Sequence, residues 1–193
     1  RQQAVRGAGG AIGSEVTGAL SDPIREALTG QVVTSTEALD REALSAENPA
    51  MAAESLVGLA ARTDRVGGLP PELTAGLVLF AAVPVKVGGV TVGALYGGTL
   101  LNNRTDIVDR AELLLYGGEK YRDRQLGTIS ILLGDVWIST NVIRAPGMRA
   151  TGTALSPDIA RPVLSNGQKW SGRASVLNDW YVASCEPIRS HSG

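Results

Sequence analysis

The sequence predicts an α+β fold: two small modules, each an antiparallel sheet flanked by helices, with a helical insert in the first. Three observations predict it. Short β-branched runs meet at turn signals such as Val87-Gly88-Gly89, Gly134-Asp135 and Asn178-Asp179, the pattern of hairpins. Between them lie capped stretches rich in Ala, Leu and Glu, the pattern of helices. The order of elements also repeats: DPIREALTGQ leads through a strand to AAVPVKVGG, and PDIARPVLSNGQ leads through a strand to ASCEPIRSHSG. Such self-similarity marks an internal duplication.

Each element has its own signal. SDPIREALTG reads as a short helix, with Ser21 as cap, Pro23 in the first turn and Gly30 as stop. GQVVTST is β-branched and strand-like. From Ser35 to about Arg62 the Ala-Leu-Glu richness predicts two helices divided by Pro49. LVLFAAVPVK and VTVGALYGG form a hairpin. NNRTDIVDRAELLLY is an amphipathic helix whose apolar face is expected to hold Ile107, Val108, Ala111, Leu114 and Leu115. TISILLGDVWISTN is a second hairpin, and SPDIARPVLSNG a second short helix that Pro162 kinks. The last hairpin runs Gly172–Leu177 and Trp180–Pro187.

These pieces place a first module at 1–101 with an insert near 35–73, a connection at 102–123 and a second module at 124–193. The second lacks a counterpart of VTVGALYGG and the first lacks one of TISILLGDVWISTN, so the sequence reads as a fragment of a longer chain.

Composition narrows the function. With 44% hydrophobic residues but 4% aromatic, a core is feasible and must be aliphatic. A net charge of -1 supplies no basic field for nucleic acid or an anionic membrane surface. A single cysteine, Cys185, excludes an internal disulfide and a multi-cysteine zinc site. The single histidine, His191, is expected to fray near the C-terminal end, which argues against Ser-His or Cys-His catalysis. GAGGAIG breaks the spacing of the dinucleotide fingerprint, and neither the Walker phosphate loop nor the nucleophile elbow occurs. No cofactor is expected, and no reaction. The carboxylate pairs Asp106/Asp109 and Glu37/Asp40 sit at helical spacing and read as solvated faces.

WSGRASVLNDWYVASCEPIR concentrates chemistry. Arg173 and Ser175 share a face of its first strand, and Tyr181, Ala183 and Cys185 share one of its second. An arginine fork, a phenol and small residues on one sheet face would suit a small carboxylate. The competing reading is an edge hairpin whose Arg173 meets Glu186 or solvent.

GDVWISTNV, SPDIARPVL and W-x-GRA-x-V-x-NDWYVAS-x-EPIR, with GALYGGTLLNN and YGGEKYRDRQLGT before them, together resemble the extracytoplasmic Cache sensor domains of bacterial histidine kinases and chemotaxis receptors. The form they resemble is the fused double one, a Cache 3-type module followed by a Cache 2-type module. That resemblance implies a PAS-like fold in each module, flanking transmembrane helices, a homodimeric receptor and a small organic acid or amino acid as ligand. It implies Arg173 as carboxylate clamp, Tyr181 and Thr140 as hydrogen-bond partners, and Asn141 and Trp170 as pocket walls. A rival site lies in the first module, at Tyr96 and strand residues near Phe80 beneath the helical insert. Two positions depart from the pattern: Cys185 stands where relatives often carry an aromatic, and Trp137 where arginine is common. The alternative is a structural or dimerisation segment of such a receptor that answers to a partner protein.

Overall fold

The computed structural model describes residues 18, 20–60, 72–122, 124–177 and 179–193. GAGGAIG and most of the VGGLPPEL loop lie outside them. Helix α1 (Ser21–Leu28) stops at Gly30, whose φ of 104° suits glycine. Its N-cap position is Leu20, and Ser21 is already helical rather than the cap. Strand β1 (Val33–Leu39) carries on through Glu37-Ala38-Leu39, where the composition predicts helix. Pairing with a neighbouring strand overrides the local propensity there. Two short helices follow, α2 (Arg41–Glu47) and α3 (Pro49–Glu54), divided where Pro49 predicts.

Short β2 (Val57–Gly58) and β3 (Glu72–Leu73) pair with each other. Strands β4 (Gly76–Val87) and β5 (Val90–Leu100) form a hairpin about Gly88 and Gly89, both at positive φ as a tight turn requires. Helix α4 spans Thr105–Tyr116 and ends at Gly117, in the left-handed region. Then come β6 (Lys120–Tyr121) and β7 (Arg124–Gln125), the hairpin β8 (Ser130–Leu133) and β9 (Val136–Thr140), and β10 (Ile143–Ala145) with β11 (Met148–Arg149). Helix α5 (Pro157–Ala160) widens into a π-helical turn at Arg161–Ser165, the segment that holds Pro162. Strands β12 (Trp170–Val176) and β13 (Asp179–Cys185) form the last hairpin.

The described residues fall into two compact units that are not collinear halves. The first comprises residues 20–56, 74–102 and 189–193; the second comprises 57–60, 72–73 and most of 103–188.

In the first unit β1, β4 and β5 form one antiparallel sheet in that order. Its inner face carries Val33, Leu39, Val78, Phe80, Ala82 and Leu100, buried against Ile24 and Ala27 of α1 and Leu44 and Met51 of α2 and α3. Asn102, 2% exposed, ties this unit together. Its Oδ1 accepts from Leu77 N at 2.9 Å, and its Nδ2 donates to Ser55 O at 2.7 Å and Ala75 O at 3.0 Å. His191 is not frayed: its backbone N–H donates to Glu37 Oε1, and its Nε2 lies 3.0 Å from Glu26 Oε2.

The second unit is built from two-stranded pairs, β8 with β9 and β12 with β13 among them, instead of the single sheet expected. Among the described residues, no strand pairs with the outer edges of β8 or β13. Trp137, Val142 and Ala150 form one small core, and Ile159, Val163 and Ala174 another. Helix α4 buries Val108 of the expected face together with Glu112, while Leu114 and Leu115 of that face are 77% and 69% exposed.

Candidate functional site

The register of the first unit aligns side chains in rows across the inner face of its sheet. Val33, Ala82 and Tyr96 form one row, and Ser35, Phe80 and Gly98 the next. Gly98 presents no side chain, so the floor beside Phe80 stays low. Over it lie α2 and α3, each fixed by a side-chain cap. Asp40 Oδ1 accepts from Ala43 N at 2.8 Å, and Asn48 Oδ1 accepts from Ala50 N at 2.9 Å. The caps set Glu47, the last residue of α2, and Met51 of α3 above the sheet.

Between helices and sheet runs a cleft with an empty volume of ≈ 250 Å³, solvent at its mouth included. Its closed part has room for about one water. Met51, Leu39, Phe80 and Gly98 line it, and its polar groups are those of Glu47 and Tyr96. The Tyr96 hydroxyl donates to Glu47 Oε2 at 3.2 Å, and its ring lies 5.8 Å from that of Phe80. Burial pushes the Tyr96 phenol pKa up, and the nearby Glu47 carboxylate adds to the rise. Tyr96 and Phe80 are the residues named above for the rival position, and α2 and α3 lie within residues 35–73.

The hairpin of the second unit does not assemble the arginine–tyrosine face. Arg173 pairs with Val182 and Ala174 with Tyr181. Directly opposed residues share a face, and a two-residue turn pairs odd positions with even ones. Arg173 therefore shares its face with Trp180 and Val182, while Tyr181 shares the other with Ala174, Ala183 and Cys185. On the outer face the Arg173 guanidinium stacks 5.1 Å from the centre of the Trp180 ring, and Val182 is 90% exposed. Glu186 pairs with Lys169 instead of Arg173. Removing an exposed stack of this kind costs little, so Arg173→Ala should change stability by less than about 1 kcal/mol. A larger loss in urea unfolding would contradict this placement.

The other anticipated residues are occupied structurally. Thr140 shares a 2.7 Å hydrogen bond with Ser130 and is 0% exposed. Asn141 Oδ1 accepts from Ile129 N at 2.8 Å, and its Nδ2 donates to Gln125 Oε1 at 3.1 Å. Trp170 packs on the core of Ile159, Val163 and Ala174, beside Cys185. Burial pushes the Cys185 thiol pKa up, which disfavours the reactive thiolate. Trp137 is core.

The acidic pair on α4 splits between two arginines. Arg149 forks onto Asp109 at 2.7 and 2.8 Å and also donates to Thr140 O, while Arg104 forks onto Asp106 at 2.8 and 2.7 Å. That hydrogen-bonded guanidinium holds the Asp106 carboxyl down at about 2, from an ordinary 3.8. Its stabilising contribution is therefore present above the unfolded pKa and is lost as pH falls through about 2. Both partners are exposed, so solvent keeps that contribution small. A carboxyl titration followed by NMR should place the Asp106 midpoint near 2, and Arg104→Ala should raise it. A midpoint unmoved by that change would remove Arg104 as the cause. Among the described residues no cluster of His, Cys, Asp or Glu could hold a metal ion, and no helix is long and apolar enough to cross a membrane.

Residues 99–193 match the family model described as single cache domain 3. The match supports a Cache sensor domain in that part of the chain, and the α+β architecture with antiparallel strands is consistent with it. No curated protein and no solved structure matches the chain.

Proposed function

We propose that the chain senses a small molecule as the extracytoplasmic part of a membrane-bound signalling protein, in the manner of a sensor histidine kinase. The ligand, an amino acid or a small organic acid, occupies the cleft of the first unit beneath α2 and α3. One observation carries this reading: an otherwise apolar cleft holds the hydrogen-bonded Tyr96–Glu47 pair among its lining residues. Ligand sites characteristically join an apolar wall to a few placed polar groups. The cleft at rest is too small for such a ligand, so binding selects an arrangement with α2 and α3 lifted from the sheet. The ligand then shifts a conformational population, which is the physical content of sensing.

A thermal-shift screen with amino acids and small organic acids tests it. A true ligand at about 100 times its dissociation constant stabilises the fold by roughly 2.7 kcal/mol. Met51→Trp, which fills the cleft, should abolish the shift while the variant keeps its own cooperative transition. If no compound moves the midpoint, or the shift survives Met51→Trp, the cleft is not the site.

A second reading, a dimerisation segment, has its own support. The outer face of the same sheet exposes Leu79, Val83, Val85 and Leu95, at 51%, 38%, 43% and 63%. Isolated monomers rarely leave such rows bare. Sedimentation would show a dimer that Val83→Lys dissociates.

A further inference from the structure

The charge of the cleft bears on what it can hold. Glu47 brings a carboxylate to a lining that contains no lysine, arginine or histidine. Among the described residues its hydrogen-bond partner is the Tyr96 hydroxyl alone, at 3.2 Å. A carboxylate offers about four lone-pair sites, so the half-buried Glu47 can accept further donors. The rings of Phe80 and Tyr96 stand side by side below it, and aromatic faces attract cations. On the same inner face, in the row of Phe80, Ser35 holds a buried Oγ with no hydrogen-bond partner. An entering carboxylate would meet Glu47 with no cation to offset the repulsion. A neutral apolar molecule would offer Glu47 no donor beyond the Tyr96 hydroxyl it already has.

From this we infer that the cleft recognises an organic ammonium group: a primary amine with a short apolar tail, its ammonium on Glu47 and Tyr96 and its tail over Phe80 and Met51. The ammonium supplies three donors. The Glu47 carboxylate takes one in a charge-assisted bond, and the Tyr96 oxygen, whose own proton points to Glu47, accepts another. An amino acid fits only if its carboxylate stays outside the cleft. The inference rests on the cleft being the ligand site and names the group it reads.

The test uses three probes of equal tail length, n-butylammonium chloride, sodium butyrate and butan-1-ol, at matched ionic strength and neutral pH. Butylammonium should raise the thermal midpoint of the protein, and butyrate and butanol should not. Glu47→Gln keeps the shape and removes the charge. It should weaken butylammonium binding at least roughly tenfold, the scale of losing one charge-assisted contact, with its ligand-free midpoint preserved. Tyr96→Phe should weaken binding less, because the ring remains. If butyrate shifts the midpoint and butylammonium does not, and Met51→Trp removes the butyrate shift, the ammonium inference fails while the cleft reading stands. Butylammonium binding equally well to Glu47→Gln also overturns the inference. If no probe shifts the wild-type protein and the wider screen is silent too, both fall.

Discussion

Asn102→Ala should destabilise the first unit by about 3 to 5 kcal/mol, because three backbone groups, two in buried hydrogen bonds and one in a part-buried bond, lose their partner at once. The side chain accepts from Leu77 N, at the start of β4, and donates to Ser55 O after α3 and Ala75 O just before β4. Those carbonyls and that N–H belong to segments distant in sequence from Asn102, so no local rearrangement repairs them. The site is 2% exposed, and water does not reach it freely. Unmade buried hydrogen bonds cost about 1 to 3 kcal/mol each, set against a typical domain stability of roughly 5 to 15 kcal/mol. Asn102→Asp separates the accepting role from the donating one. It keeps an acceptor for Leu77 N but turns a carboxylate toward two carbonyls, so it should do no better than alanine. Urea unfolding of both variants decides the matter. A loss below about 1 kcal/mol for alanine would mean that the three bonds do not hold the unit together.

Asn102 also shows what a sequence does not convey. It sits in the Asn-Asn pair that opens the stretch read as an amphipathic helix, whereas α4 begins only at Thr105, and its partners are fixed only once the sheet has formed. The turns are different. Gly88-Gly89 and Gly134-Asp135 declare themselves because positive φ nearly demands glycine, and the strands beside them follow. Pro49 divides α2 from α3 as expected, since proline removes a donor that a continuous helix needs.

The departures from expectation have physical causes. Glu37-Ala38-Leu39 has helical propensity, but pairing with Gly76, Leu77 and Val78 gives the segment more than a local helix could. Helix α4 carries three successive leucines, and three successive residues cannot share one face. The sequence therefore allows several faces, and the fold buries Val108 and Glu112. The Arg173–Tyr181 face fails on parity: alternation is correct along each strand, but the register puts the two residues on opposite faces. Tyr96 is legible as an aromatic among glycines. Glu47 is not, because nothing local says that the end of α2 overhangs β5.

Gly152→Ala should be the most damaging single methyl in the second unit, at roughly 3 to 5 kcal/mol. Gly152 has a φ of 82°, where an L residue pays about 1 to 2 kcal/mol. Steric conflict costs more than that. A Cβ built there lies 2.0 Å from the Gly58 carbonyl oxygen and 3.1 Å from its carbon. The obstacle is backbone, so no rotamer change relieves it. To make room, the segment after β2 must withdraw. That would break the hydrogen bond from Ala60 N to Gly152 O at 3.1 Å and strain the one from Gly152 N to Trp137 O at 2.8 Å. The clash is directional, which supplies a control: a Cβ at Gly58 meets nothing within 4 Å. Gly58→Ala should therefore stay within about 0.5 kcal/mol of the parent, although the two glycines touch. Thermal unfolding of the pair distinguishes a crossing point that requires bare backbone from a loop that tolerates substitution. Equal midpoints for Gly152→Ala and Gly58→Ala would show that the approach of the two segments relaxes at no cost.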